Sequence, residues 1–315
     1  MFTSPAAPPR RRPLPEGTGR RVLVAAVASL VAEILIVGTG AAVRLTGSGL
    51  GCPTWPRCTA DSFTTTPEMG VHGVIEFGNR LLTFALVAVA VLTLAAVWRM
   101  RKRRRDLWWP ALVQLLSIPA QAVLGGITVW TGLNPWTVAA HLLISLALVV
   151  VMTVFLHRVR TGPGERVLAV PAPLAALGVA IAPVTAVVVL LGILTTGSGP
   201  HAGDAASARN GLDATVLVGV HETSAWVLFA LTAALVVWST ARRLPLQRPA
   251  TLLLTVEALQ IAVGVTQVAL DWNAGVVIVH VFLAACLTAA AANVVVHLRR
   301  PVADVFEERP ERIEA

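Results

Sequence analysis

The run VIEFGNRLLTFALVAVAVLTLAAV, residues 74–97, decides the fold. From Leu81 onward no charge interrupts it. As a helix rising 1.5 Å per residue it spans about 36 Å, enough to cross a hydrocarbon core of about 30 Å. Yet Glu76, Asn79 and Arg80 lie within five residues near its start. An acid, an amide and a guanidinium are costly against lipid, so this face must turn into a helix bundle. His72 at i, Glu76 at i+4 and Asn79 at i+7 share that face.

Outward from this run the same apolar pattern repeats. The 315 residues are 56% hydrophobic, and only 13% are charged; soluble domains hold about 25% charged residues. The apolar runs place eight spans at roughly 22–43, 71–98, 107–130, 136–157, 167–196, 214–239, 250–270 and 275–297. Pro171, Pro173 and Pro183 interrupt the fifth, and neighbouring helices can satisfy the backbone groups that such prolines free. Arg10, Arg11, Arg12, Arg20 and Arg21 precede the first span, and RMRKRRR (99–105) follows the second. With the basic residues at 158–166, 242–248 and 299–312, 21 of the 25 Lys and Arg fall on one side of an eight-span chain. That asymmetry puts both termini in the cytoplasm of a multi-pass cell-membrane protein. It also accounts for the net charge of +8, which points to basic loops beside anionic lipid and gives no reason to invoke nucleic acid. The apolar stretch after residue 21 is too long for a signal-peptide core.

The outer loops alternate long and short, which divides the chain into two four-helix halves. LTGSG (45–49) recurs as TTGSG (195–199), and QAVLGG (121–126) resembles QIAVGV (260–265). Gly125 precedes His141 by 16 residues, and Gly264 precedes His280 by 16. Both halves begin on the cytoplasmic side, so the repeat is parallel, about an axis along the membrane normal. The expected architecture is an all-α membrane protein, with eight transmembrane helices forming two parallel-repeat four-helix bundles. Its parts are a disordered tail (1–21), an N-terminal half (22–157) with outer loop 44–70, and a linker (158–166). A C-terminal half (167–298) and a tail (299–315) follow. The register of the second span against the sixth stays open. Pairing Asn79 with His221 aligns Phe84 with Trp226. Pairing TFAL (83–86) with LFAL (228–231) instead aligns Glu76 with His221.

His141 and His280 sit near the outer ends of the fourth and eighth spans, and His221 lies about two turns into the sixth. Histidines on facing helices of a bundle can ligate a metal or haem, and two across one porphyrin fill both axial positions. A lone membrane histidine more often makes an interhelical hydrogen bond; the repeat-related placement favours ligation. His157 and His297, beside Arg at the cytoplasmic ends, read as surface residues. His201 in GSGPHAGD either lines a site or is solvated. Glu33, Glu222 and Glu257 are in-span acids that either hold a structural hydrogen bond or carry protons. In GCPTWPRC (51–58), Cys52 and Cys58 can pair in an oxidising compartment or remain free thiols; a zinc site needs more ligands. Cys286 reads as a small core residue.

GAAVRLTGSGLGCPTWPRC followed by IEFGNR, with eight spans and histidines at 141, 221 and 280, resembles the haem A synthase family, its actinobacterial form above all. The resemblance covers residues 22–298 or so. It implies a haem-dependent membrane oxidoreductase that converts the methyl group of haem O to the formyl group of haem A, for cytochrome oxidase, by two hydroxylations and loss of water. It implies a haem b cofactor between His221 and His280, a substrate-haem site in the N-terminal half, an essential acid at Glu76 and a cysteine pair at Cys52 and Cys58. Haem O as substrate brings in the haem O synthase that supplies it, and the oxidation calls for an electron donor. The family pattern in the second span is Glu-x-x-His-Arg, whereas this chain has Asn79 at the histidine position. Either His72 substitutes as the ligand partner of His141, or that side stays open, with Asn79 holding a water or a propionate. Arg80 pairs with Glu76 or with a propionate. A dihaem b-type electron carrier is the alternative from another class; it explains the histidines but not Glu76 or the cysteine loop. A transporter built from parallel repeats is a third and predicts no haem.

Overall fold

The computed structural model describes residues 18–199 and 207–302. His201 and most of both tails, 1–17 and 303–315, lie outside the described residues. Among the described residues, eight helices are long and apolar enough to cross a membrane. They are α1 (Arg20–Leu45), α2 (Gly70–Val97), α3 (Arg105–Trp130), α4 (Pro135–Thr161), α5 (Ala172–Ser198), α6 (Ala214–Ala241), α7 (Gln247–Ala269) and α8 (Ala274–His297). The chain is therefore an all-α, multi-pass membrane protein.

The helices start where local chemistry permits. Asp213 Oδ1 accepts from the Thr215 and Val216 amides at the start of α6, which satisfies donors that a helix start leaves open. Asn134 and Asn273 accept from the amides of Trp136 and Gly275 in the same way. The turns before α4 and α8 share one backbone. Gly132 and Leu133 have positive φ in one, Asp271 and Trp272 in the other. Leu133 N–H donates to Thr128 O and Trp272 N–H to Gln267 O, each at 2.7 Å.

In the N-terminal half, α1 and α3 each pack against α2 and α4; in the C-terminal half, α5 and α7 each pack against α6 and α8. The halves meet through α1 on α8, α4 on α8 and α4 on α5. Val37, Ala139, Leu146, Ile193 and Ala285 form the apolar seam between them.

Burial gives the register of the repeat helix by helix. Buried Val22, Ala26, Ser29 and Glu33 of α1 correspond to Leu174, Gly178, Ile181 and Thr185 of α5. Pro110, Ala111, Gln114 and Ile118 of α3 correspond to Pro249, Ala250, Leu253 and Glu257 of α7. Leu146, Leu148, Met152 and Phe155 of α4 correspond to Ala285, Leu287, Ala291 and Val294 of α8. In α6 the buried residues are Leu228, Thr232, Leu235 and Ser239, which correspond in spacing to buried Leu86, Ala90, Thr93 and Val97 of α2. This register settles the open choice: Asn79 corresponds to His221, and Phe84 to Trp226. The LTGSG and TTGSG match is out of register with it. The first runs past the end of α1, whereas Thr195–Ser198 close α5 within its last turn.

Three expectations change at the basic end. The fifth helix starts at Ala172 and not at 167, because Pro171 takes the N-cap and Pro173 the first turn. Residues 166–168 form a strand instead, β1 (Arg166–Leu168), antiparallel to β2 (Arg299–Pro301), with Arg166 opposite Pro301. Strands of three residues carry no periodic signal. His157 and His297 are not surface residues. His157 is buried, the two rings meet edge to face at 4.7 Å, and Arg166 Nη1 donates to His157 Nε2 at 3.0 Å.

Candidate functional site

A cavity of about 1600 Å³ runs through the half of the molecule away from the basic end and is lined by residues of both bundles. It exceeds the roughly 300–1,000 Å³ usual for one small-molecule site. Most of its wall is apolar, and the ionisable groups and amides that reach it include Glu33, Arg44, Glu76, Asn79, Arg80, His141, His221, Glu222, Glu257 and His280.

In the C-terminal half, His221 of α6 and His280 of α8 face each other with ring centroids 6.4 Å apart. Two metal–imidazole bonds of about 2 Å each, plus the two ring half-widths, span roughly 6 Å. The pair therefore fits a haem iron held between them. His221 Nδ1 donates to the Val188 carbonyl at 3.0 Å, which leaves Nε2 as the nitrogen with a lone pair free for a metal. The sequence permits this close approach because α5 has Gly192 there: a Cβ would stand 3.0 Å from His221 Cε1. His280 lies against Gly264 likewise, at 3.4 Å, and its carbonyl accepts from Gln260 Nε2 at 3.1 Å. The buried Nδ1 of His280 has no hydrogen bond among the described residues.

The N-terminal half repeats one side of this arrangement. His141 of α4 lies 3.6 Å from a Cβ built at Gly125, its carbonyl accepts from Gln121 Nε2 at 3.0 Å, and its Nδ1 is likewise buried without a hydrogen bond. An orphaned ring nitrogen in each half marks an imidazole whose polar capacity the protein does not consume. On α2 the cavity wall includes Glu76, Asn79, Arg80, Thr83 and Phe84. Asn79 Oδ1 is buried and has no hydrogen bond among the described residues. His72 does not join this wall. It is exposed, and its Nδ1 is 2.9 Å from Ser48 Oγ in the adjacent loop.

The loop between α1 and α2 closes the N-terminal cavity. Cys52 and Cys58 form a disulfide, and both are fully buried. The Cys52 amide donates to Glu76 Oε2 at 2.6 Å, and Arg80 Nη2 donates to Glu76 Oε1 at 2.6 Å. The same guanidinium reaches the carbonyls of Thr54 and Arg57 at 3.2 Å and of Cys52 at 3.4 Å. So Glu76 and Arg80 are joined as an i, i+4 pair, and together they hold the disulfide loop in place. Trp55 then lies over Gly126 of α3, where a Cβ would stand 2.5 Å from the indole, and packs edge-on against Trp130 at 5.4 Å.

Several contributors were not singled out from the sequence. Trp55 and Gly126 make the lid contact. Gln121 and Gln260 hold the histidine-bearing helices, although their spacing marked only the repeat. Glu33 and Glu257, which the sequence did mark as in-span acids, each hold a structural bond: Glu33 accepts from Gln114 Nε2 at 3.2 Å and Glu257 from Thr232 Oγ1 at 2.8 Å. An in-span Gln four residues before a Gly, repeated in both halves, was the available signal for Gln121 and Gln260. Nothing in the sequence signalled Trp55.

The family model described as cytochrome oxidase assembly protein matches residues 22–292. A heme A synthase of Geobacillus kaustophilus (strain HTA426) is 34% identical over 109 residues, 34% of this chain and 33% of that protein. One from Lysinibacillus sphaericus (strain C3-41) is 33% identical over 141 residues, 42% and 44% of the two chains. One from Bacillus pumilus (strain SAFR-032) is 34% identical over 127 residues, 39% and 40%. The matched stretch covers less than half the length of each of these relatives.

Proposed function

The chain belongs to the family of cytochrome oxidase assembly proteins, and from that membership we propose that it makes haem A. Its substrate is haem O, whose methyl group becomes a formyl group through two hydroxylations and loss of water. The observation that carries the reading is the pair His221 and His280, set 6.4 Å apart on facing helices beside a cavity that continues into the other half. The relatives' name, heme A synthase, supports it.

In this reading the C-terminal half is the cofactor half, and the haem b held there supplies one-electron chemistry. His221 and His280 bind it. Val188 fixes the tautomer of His221, and Gly192 and Gly264 let the imidazoles lie close to their helices. The N-terminal half is the substrate half, with His141 as its imidazole. Glu76 is the acid at that site, and its carboxylate lines the cavity while its two oxygens take Arg80 and the Cys52 amide. Such a group stabilises positive charge that develops on a substrate beside it. The disulfide loop with Trp55 covers the cavity and keeps water from it. The loop side faces outward across the cell membrane, and the basic end faces the cytoplasm, as the Lys and Arg distribution supports. The haem O synthase that supplies the substrate and an electron donor complete the system.

The test is haem extraction and chromatography from a strain lacking the chain and from that strain complemented with it. Haem O alone in the deletion, and haem A restored on complementation, is the expected result. Haem A at the parental level in the deletion overturns the proposal.

A further inference from the structure

Resting on the reading above, we infer that the N-terminal site holds its haem through one imidazole, His141, with Asn79 in the place of the second ligand. The iron face toward α2 is then open to a small exchangeable ligand. The comparison that carries this is internal to the molecule. On one side the halves are equivalent. His141 and His280 share a Gln that reaches the histidine carbonyl from the preceding helix, a glycine against the ring, and an orphaned Nδ1. On the other side they differ. Four buried positions share one spacing in α6 and α2, and in that register His221 corresponds to Asn79. The lining residues agree: Val218, His221, Glu222, Ala225 and Trp226 fall on Glu76, Asn79, Arg80, Thr83 and Phe84, all of them in the cavity wall.

No other imidazole on α2 makes up the difference. His72 is exposed, bonded to Ser48, and outside the cavity lining. It lies seven residues before Asn79, about 10 Å along the helix. Glu76 and Arg80 are committed to each other and to the disulfide loop. Among the described residues of α2, Asn79 is the one with a buried side-chain oxygen that has no hydrogen bond. A neutral amide oxygen is a weak ligand for haem iron beside imidazole or thiolate, but it accepts a hydrogen bond from a water. The two halves thus differ in kind: one holds its iron from both faces, the other from one.

The test uses purified full-length protein loaded with two equivalents of iron protoporphyrin IX, reduced, and exposed to carbon monoxide. About half of the bound haem should take up carbon monoxide, and the other half should keep a low-spin, bis-imidazole spectrum. His141→Ala should abolish the carbon-monoxide-binding component and leave the low-spin one. Asn79→His should lower the carbon-monoxide-binding fraction at least fivefold at unchanged haem content, and His72→Ala should leave it as in the parent. If Asn79→His does not load haem, the parent and His141→Ala decide the matter. Two low-spin haems in the parent, both refractory to carbon monoxide, overturn the inference, and loss of one of them in His72→Ala moves the ligand role to His72. Absence of the low-spin component from the parent, unchanged by His221→Ala, sinks the underlying functional reading instead, so the two failures are distinct.

Discussion

Replacing Arg80 with Met removes the clasp of the outer loop while keeping a side chain of similar length. The guanidinium makes one short bond to Glu76 at 2.6 Å and three longer ones to loop carbonyls at 3.2–3.4 Å. A hydrogen bond to a charged group contributes about 1.5–3 kcal/mol. Truncating one partner of a buried pair costs about 3–5 kcal/mol, and Arg80, with its side chain 21% exposed, falls below that range. The Cys52 amide still holds Glu76 in the variant, so the loss in loop anchoring is about 2–3 kcal/mol. Cys52 and Cys58 are fully buried, so a reductant reaches the disulfide only when the loop opens. At 1.4 kcal/mol per factor of ten, reduction should speed up about 30- to 150-fold. Phosphine reduction followed by thiol labelling in detergent measures this, with helix content checked by circular dichroism. Adding Glu76→Gln should cost less than the two single changes together, by about 1 kcal/mol or more. A reduction rate within about threefold of the parent would refute the clasp and leave Trp55 packing as what holds the loop.

His221→Ala and His280→Ala should each remove the low-spin haem absorbance of the C-terminal half while the protein still inserts; a full low-spin spectrum in the double variant defeats the ligand assignment. Glu76→Gln keeps the shape of the side chain and should stop haem A formation in cells with the protein still present in membranes; haem A at the normal rate removes the acid from the reaction. Gly126→Ala places a Cβ 2.5 Å from the Trp55 indole, an overpacking that costs about 1–3 kcal/mol, and should lower the thermal midpoint and shift tryptophan emission. An unchanged midpoint would show that the loop gives way freely.

The spans, their number and the Gly–His spacing were legible because lipid demands long apolar helices and the repeat preserves spacing within each helix. What the sequence left open was the register between helices separated by unequal loops. TFAL and LFAL looked like a match, but they share only a short apolar stretch, which any membrane helix supplies. The buried set Leu228, Thr232, Leu235 and Ser239 against Leu86, Ala90, Thr93 and Val97 was decisive, and burial is a property of the packed bundle. The facing histidines His221 and His280 were visible as residue types, and their mutual distance was not. Arg80 read equally well as a partner of Glu76 or of a propionate until the loop carbonyls around it were placed. His157 and His297 looked like surface residues because they stand among arginines, and their contact depends on how α4 and α8 cross.

The paired registers have a consequence for how this molecule can vary. Had each four-helix unit been a separate polypeptide assembling as a symmetric dimer, any change at one position would have appeared at its equivalent in the other unit. Because both units sit on one chain, Asn79 and His221 are separate letters of the sequence, and the long disulfide loop is carried by one unit only. Covalent linkage thus lets the two units of this repeat differ at that position and in the loop above it.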